Sequence, residues 1–181
     1  MVSSGAEKQF LENALFEFSR MKKSGDAVLS RLNEKEIDFS FSANDNSVRV
    51  IVQHMAGNLL SRWTDFLTSD GEKSWRNRDA EFEAQALAKA ELVEKWEEGW
   101  KTLFSALENL TEKDVLREVT IRNEKLTVMQ AIFRQISHYA YHTGQLVLIA
   151  KHIRGEEWQS LTIPKGKSAE AAGKGTYLSK P

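Results

Sequence analysis

The chain has 181 residues, enough for one domain with a full core. With 25 Lys and Arg against 26 Asp and Glu the net charge is −1, so no basic excess points to nucleic acid, and the expected partner is a small molecule. There is no cysteine, which excludes disulfides, thiolate metal sites and cysteine nucleophiles together.

Met1 to Phe10 carry no basic-then-apolar signal pattern, and no apolar run nears the roughly 18 residues that cross a bilayer. The expectation is a cytoplasmic protein without a membrane partner. Both prolines, Pro164 and Pro181, fall after the last predicted helix, leaving the body of the chain free for long helices.

Ser4-Gly5-Ala6-Glu7 has the spacing of a capping box. Phe10, Leu11, Ala14, Leu15, Phe18, Met21, Val28, Leu29 and Leu32 then recur at helical intervals, so the first helix is predicted from Ala6 to Leu32. Asn44-Asp45-Asn46 is a turn cluster. A second helix follows from Ser47 to Leu67, with Val48, Ile51, Met55, Leu59 and Phe66 on its apolar side and His54 among them.

Ser69-Asp70-Gly71 is read as the stop of that helix, and no strong helical period resumes until about Ala84. A segment over 68–83 can reach about 50 Å when extended, more than the roughly 30 Å length of a helix of that size. It can therefore cross a helical bundle end to end. The third helix is predicted over 84–110, with Leu92, Trp96, Trp100, Leu103, Leu107 and Leu110 inward. Val115 to Ile121, Arg122-Asn123-Glu124 and Lys125 to Thr127 read as a short hairpin. Thr127 with Gln130 forms a second capping box, opening a fourth helix that runs to Arg154 with Gly155 as an αL stop. Residues 1–165 make the predicted domain, and 166–181 read as a flexible tail. The fold expected is all-α: a four-helix bundle with a long crossover between helices 2 and 3.

The fourth helix carries the chemistry. His138 and His142, four apart, project from one helical face, and the stripe Ala131, Gln135, His138, His142, Gln145, Ile149 is polar in its middle. Ile132, Ile136, Tyr139, Leu146, Phe133, Ala140 and Val147 flank it as residues of a buried helix. A buried imidazole needs a partner, either a divalent ion or a backbone carbonyl or neighbouring Gln. Three of the four histidines point inward from two helices, which favours the ion; imidazole suits zinc, nickel, iron, copper and cobalt. His152 lies about 15 Å further along the axis and cannot share that ion. Asn58, Gln135 and Gln145 are placed either to support the ligands or to serve as ordinary buried amides bonded to backbone, and Arg62 either to attract an anionic substrate or to pair with a carboxylate between helices. Trp75-Arg76-Asn77-Arg78-Asp79 reads as a loop at the bundle mouth or as one pinned down by Trp75.

Tyr139 stands where a His-Glu-x-x-His protease needs glutamate, and Gln135 where a di-iron bundle needs one, so neither chemistry fits. Gly166-Lys167-Ser168 lacks the earlier glycine of a phosphate loop, since Leu161 occupies that place.

An inward His within Val52-Gln53-His54-Met55-Ala56-Gly57-Asn58, paired with His138-x3-His142, resembles the DinB/YfiT-like metalloenzyme family over about residues 6 to 165. The stretches 57–66, 75–79 and 163–168 are similar to one bacterial subfamily of that group whose activity is not assigned. The resemblance implies a four-helix bundle with a long crossover, His54, His138 and His142 as ligands, and a homodimer. It implies a divalent ion, nickel or zinc before iron or manganese. Some relatives are thiol-dependent transferases or isomerases acting with low-molecular-weight thiols such as bacillithiol or mycothiol, so the resemblance implies a metal-dependent transferase or hydrolase, with a thiol-dependent S-transferase foremost. The alternatives are a non-catalytic, metal-stabilised stress or interaction protein and, disfavoured by the near-neutral charge, a DNA-binding factor.

Overall fold

The computed structural model describes residues 5–83 and 87–172. The helices are α1 (Ala6–Arg31), α2 (Val48–Trp63), α3 (Lys89–Glu108), α4 (Val128–Arg154) and the short α5 (Ser168–Ala171). Strands β1 (Glu118–Ile121) and β2 (Glu124–Thr127) pair antiparallel, with Ile121 opposite Glu124. The described residues are thus mostly helical with one small ribbon.

The local signals explain most element ends. Ser47 is extended and its hydroxyl accepts from the Val50 N–H, which caps α2. Thr127 and Gln130 cap α4 reciprocally, at 2.8 and 3.1 Å. The N-cap of α1 is Gly5; Ser4 of the expected capping box lies outside the described residues. So do 84–86, where the third helix was expected to start; Ala88 is extended and α3 begins at Lys89.

Other ends differ from expectation. α2 stops at Trp63 rather than Leu67, because Thr64 leaves the helical region and Asp65 takes a φ of 49°. Gly155 has a positive φ of 53°, but its ψ of −122° is not the αL stop expected. The hairpin turn holds two residues, Arg122 and Asn123, both with positive φ, and Val115 to Arg117 lie outside β1. The Asp70 carboxylate accepts from both turn N–H groups at 2.8 Å, tying the hairpin to the segment after α2. Of the expected tail, Ser168–Ala171 are helical and 173–181 lie outside the described residues.

Contacts between elements set their directions. The segment after α2 doubles back along it: Gly71 lies against Arg62, Glu81 against Gly57, and Leu87 accepts from Arg49. Hence α3 starts beside the N-terminus of α2 and runs parallel to it, with Gly99 reaching Leu59 and Ala56. α1 runs antiparallel to α3, as Leu32 meets Lys89 and Lys22 meets Glu97. α1 and α4 run parallel, Phe10 meeting Phe133 and the Arg31 carbonyl meeting Arg154.

Phe18, Trp63, Trp96, Trp100 and Tyr139 fill the core. Trp63 Nε1–H donates to the Tyr139 hydroxyl at 3.2 Å, and that hydroxyl donates to Asn58 Oδ1 at 3.0 Å, joining α2 to α4. Phe133 and Ala140, expected to be buried, are exposed. α4 buries the arc through Val128, Ile132, Gln135, Tyr139, His142 and Leu146, and these two lie on the opposite arc with Tyr141 and Leu148. Among the described residues no helix is long and apolar enough to cross a membrane.

Candidate metal centre

α2 and α4 bring His54, His138 and His142 together. His54 sits mid-α2, on a helix buried on almost every side, and is itself buried. His142 is buried and His138 half-buried, one turn apart on α4. Nε2 of His138 lies 3.3 Å from Nε2 of His54 and 3.1 Å from Nε2 of His142. Among the described residues no carboxylate joins them in the cluster.

The outer nitrogens decide what those Nε2 atoms present. His54 Nδ1 lies 2.9 Å from Glu81 Oε2, and an ionised carboxylate only accepts, so Nδ1 carries the hydrogen. His142 Nδ1 lies 2.8 Å from Gln145 Oε1, which likewise accepts. In the neutral rings both Nε2 atoms are then bare, and His138 Nε2 faces the pair. It can give one hydrogen at most, so hydrogen bonding alone leaves facing lone pairs.

A cation resolves all three. Imidazole nitrogens about 2.05 Å from a tetrahedral ion stand about 3.3 Å apart, close to the two separations observed. The residues therefore fit a divalent ion held by three neutral imidazoles.

Burial keeps His138 and His142 unprotonated. Burial pushes His138 down to about 3, helped by His142 and His54 and by the cationic Arg134 and Arg62. Burial also lowers His142, against the raising effect of its bond to Gln145. Burial alone would raise the Glu81 carboxyl, but the bonds from His54 and Arg76 outweigh it and hold the group below the usual carboxylate range.

Of the residues expected to support the ligands, Gln145 does so directly. Gln135 lies on the same face of α4, 2% exposed, with neither amide atom partnered among the described residues. Asn58 serves Tyr139 rather than an imidazole. Arg62 turns to the Gly71 carbonyl and to Glu72 Oε2, 3.1 Å away, and its Nε is unpartnered. Trp75 does not pin the loop; it is 59% exposed.

Sequence reading missed Glu81, Phe82 and the role of Arg76. Glu81 accepts from Arg76 Nε and Nη2, both at 2.7 Å, while Phe82 packs 4.7 Å from the His54 ring. All three sit in a segment without periodicity, and Glu81 is 27 residues from the histidine it serves. The nearest clue was Gly57, mid-helix and three residues after His54, where a Cβ would lie 2.2 Å from Glu81 Oε1.

A family model described as a protein of unknown function (DUF1572) matches residues 5–167. No curated protein matches the chain.

Proposed function

The chain belongs to the DUF1572 family, within the DinB-like superfamily, and from that premise we propose that His54, His138 and His142 hold a divalent ion, nickel or zinc, at the working centre of a thiol-dependent S-transferase. The carrying observation is the convergence of three Nε2 atoms at 3.1 and 3.3 Å with no fourth protein ligand in the cluster among the described residues. Three protein ligands with an open position characterise catalytic rather than structural sites. The four long helices are read as the DinB-like bundle, residues 1–165 as its domain and 166–181 as an appendage. The ion's partner is a low-molecular-weight thiol, and the protein works as a homodimer.

The ion supplies a Lewis-acidic position that favours thiolate over thiol. The remaining work falls to the chain. Glu81 and Gln145 hold two imidazoles in the ligating tautomer, and the buried walls of α2 and α4 limit water. Arg134, within electrostatic reach of His138, favours an anionic sulfur. The sulfur forms a bond to an electrophilic carbon, the leaving group departs with the pair of the broken bond, and the thiol proton passes to solvent. Protein loaded with zinc, nickel or manganese is assayed for transfer of bacillithiol or mycothiol to a simple electrophile. Transfer is expected with at least one ion and lost in His138→Ala; an unaltered rate in that variant ends the reading.

One observation favours a second reading, a non-catalytic protein tied together by its ion. Glu81, the carboxylate nearest the trio, is engaged by both His54 and Arg76 and offers no free base. Under that reading chelation lowers the melting temperature while no thiol transfer is found with any ion.

A further inference from the structure

Resting on that metal centre, we infer that Glu81 is its positioning residue: clamped by Arg76, it fixes His54 with Nε2 toward the other two rings, and Gly57 is bare so that Glu81 can be there. Without an acceptor at Nδ1, His54 is free to change tautomer and ring angle. The carboxylate at 2.9 Å removes that freedom. His142 obtains its acceptor from Gln145 on its own helix, three residues on. His54 obtains it from the crossover, so its orientation depends on how that segment docks.

The docking is built for the purpose. Gln53, next to His54, shares the two hydrogens of Nε2 among the carbonyls of Ala80, Glu81 and Glu83, 3.0 to 3.3 Å away, fixing the backbone on either side of the carboxylate. Phe82 covers the His54 ring. Arg76, its side chain 2% exposed, grips Glu81 with two parallel bonds and reaches Glu72 at 3.5 Å. That grip also offsets the carboxylate's charge. An ion bound by three neutral rings beside a neutralised Glu81 keeps its positive charge, which favours an anionic ligand such as thiolate in the open position.

Gly57 makes the inference testable without touching a ligand. A Cβ there would lie 2.2 Å from Glu81 Oε1 and 2.8 Å from Cδ, the far end of a side chain rather than backbone, so alanine pushes the carboxylate out of its clamp rather than moving the helix. The experiment compares the full-length parent with Glu81→Ala, Glu81→Gln and Gly57→Ala, each loaded with cobalt(II). It reads affinity by chelator competition, the visible absorption of the bound ion and, as a check of folding, far-UV circular dichroism. Glu81→Ala and Gly57→Ala are expected to bind about 10- to 100-fold more weakly with an altered spectrum. Glu81→Gln keeps an oxygen acceptor for Nδ1–H and is expected within about fivefold of the parent with its spectrum restored. Should Glu81→Ala not fold, Gly57→Ala against Glu81→Gln decides. Folded variants that bind within about twofold of the parent with its spectrum overturn the positioning role alone. A parent that binds no cobalt overturns the centre itself and this inference with it.

Discussion

Nε2 of His142 stands 3.1 Å from Nε2 of His138, with both rings held neutral by burial. His138 can give its ring hydrogen to His142 or to His54 but not to both, so one pair of bare nitrogens is left facing, an arrangement that a cation turns into a favourable one. An ion that binds only the folded chain adds its binding free energy to stability, about 2.7 kcal/mol at a free concentration a hundredfold above Kd. For a chain of this size that is a rise in Tm of about 5–10 °C. Calorimetry with and without chelator is expected to show it in the parent and to lose it in His54→Ala, His138→Ala and His142→Ala; equal melting temperatures for chelated and loaded parent would contradict it.

The same burial predicts how the chelated protein responds to acid. His138 is pushed from its ordinary 6.5 to about 3, and His142 is lowered too. Between these limits the unfolded chain binds protons that the fold refuses, so stability is fully present above pH 6.5 and is lost as pH falls toward 3. Glu81, lowered from 4.5, adds a loss in the same direction below that pH. Allowing for the partial exposure of His138, the slope is on the order of 1 kcal/mol per pH unit. Urea midpoints of chelated protein at pH 7.5, 6.0 and 5.0 check it; a midpoint that holds or rises as pH falls would refute the assignment.

What was legible in the chain follows the range of the forces involved. The i, i+4 pair on α4, the inward His54, the cap at Thr127 and the long apolar stripes are local regularities, and they reappear where spacing put them. Phe133 and Ala140 were misplaced because apolar residues circle much of α4, and periodicity alone does not say which arc its neighbours cover. Arg62 and Asn58 lie near the ligands in sequence, but each answered a stronger local demand: a bare carbonyl at Gly71 and the hydroxyl of Tyr139. Glu81 could not be read at all. It reaches His54 only because the crossover runs back along α2, a tertiary fact without periodic trace.

The exposed arc of α4 bears on assembly. Phe133, Tyr141 and Leu148 are 56%, 66% and 60% exposed, with Ala140 and Gly144 between them on the same face. A stripe of this kind is self-complementary about a twofold axis, the commonest symmetry of homodimers. If the homodimer proposed above forms there, light scattering gives twice the 20.6 kDa chain mass. The double variant Tyr141→Asp, Leu148→Asp then gives the single mass with its helical content intact. A parent of single mass at micromolar concentration would remove the homodimer, and a double variant that stays dimeric would move it to another face.

Gly99 tests the packing of α2 against α3. Alanine in place of a mid-helix glycine gains about 1 kcal/mol in helix propensity, so an unconstrained site would be stabilised. Here the new Cβ would lie 2.9 Å from Leu59 Cβ, 3.1 Å from Leu59 Cδ1 and 3.3 Å from the Ala56 carbonyl oxygen. The first and last of these are backbone or one bond from it, so no rotamer change relieves them and the two helices must separate. Overpacking of that kind costs about 1–3 kcal/mol, which meets or exceeds the propensity gain, and separation also loosens Trp96 and Trp100 on the same face of α3. Gly99→Ala is therefore expected to lower the chelated protein's Tm by a few degrees, about 2–4 °C per net kcal/mol. His54 lies on α2 nearby, so ion affinity should fall with it. A variant more stable than the parent would mean that α2 and α3 do not approach as closely as their glycine contact requires.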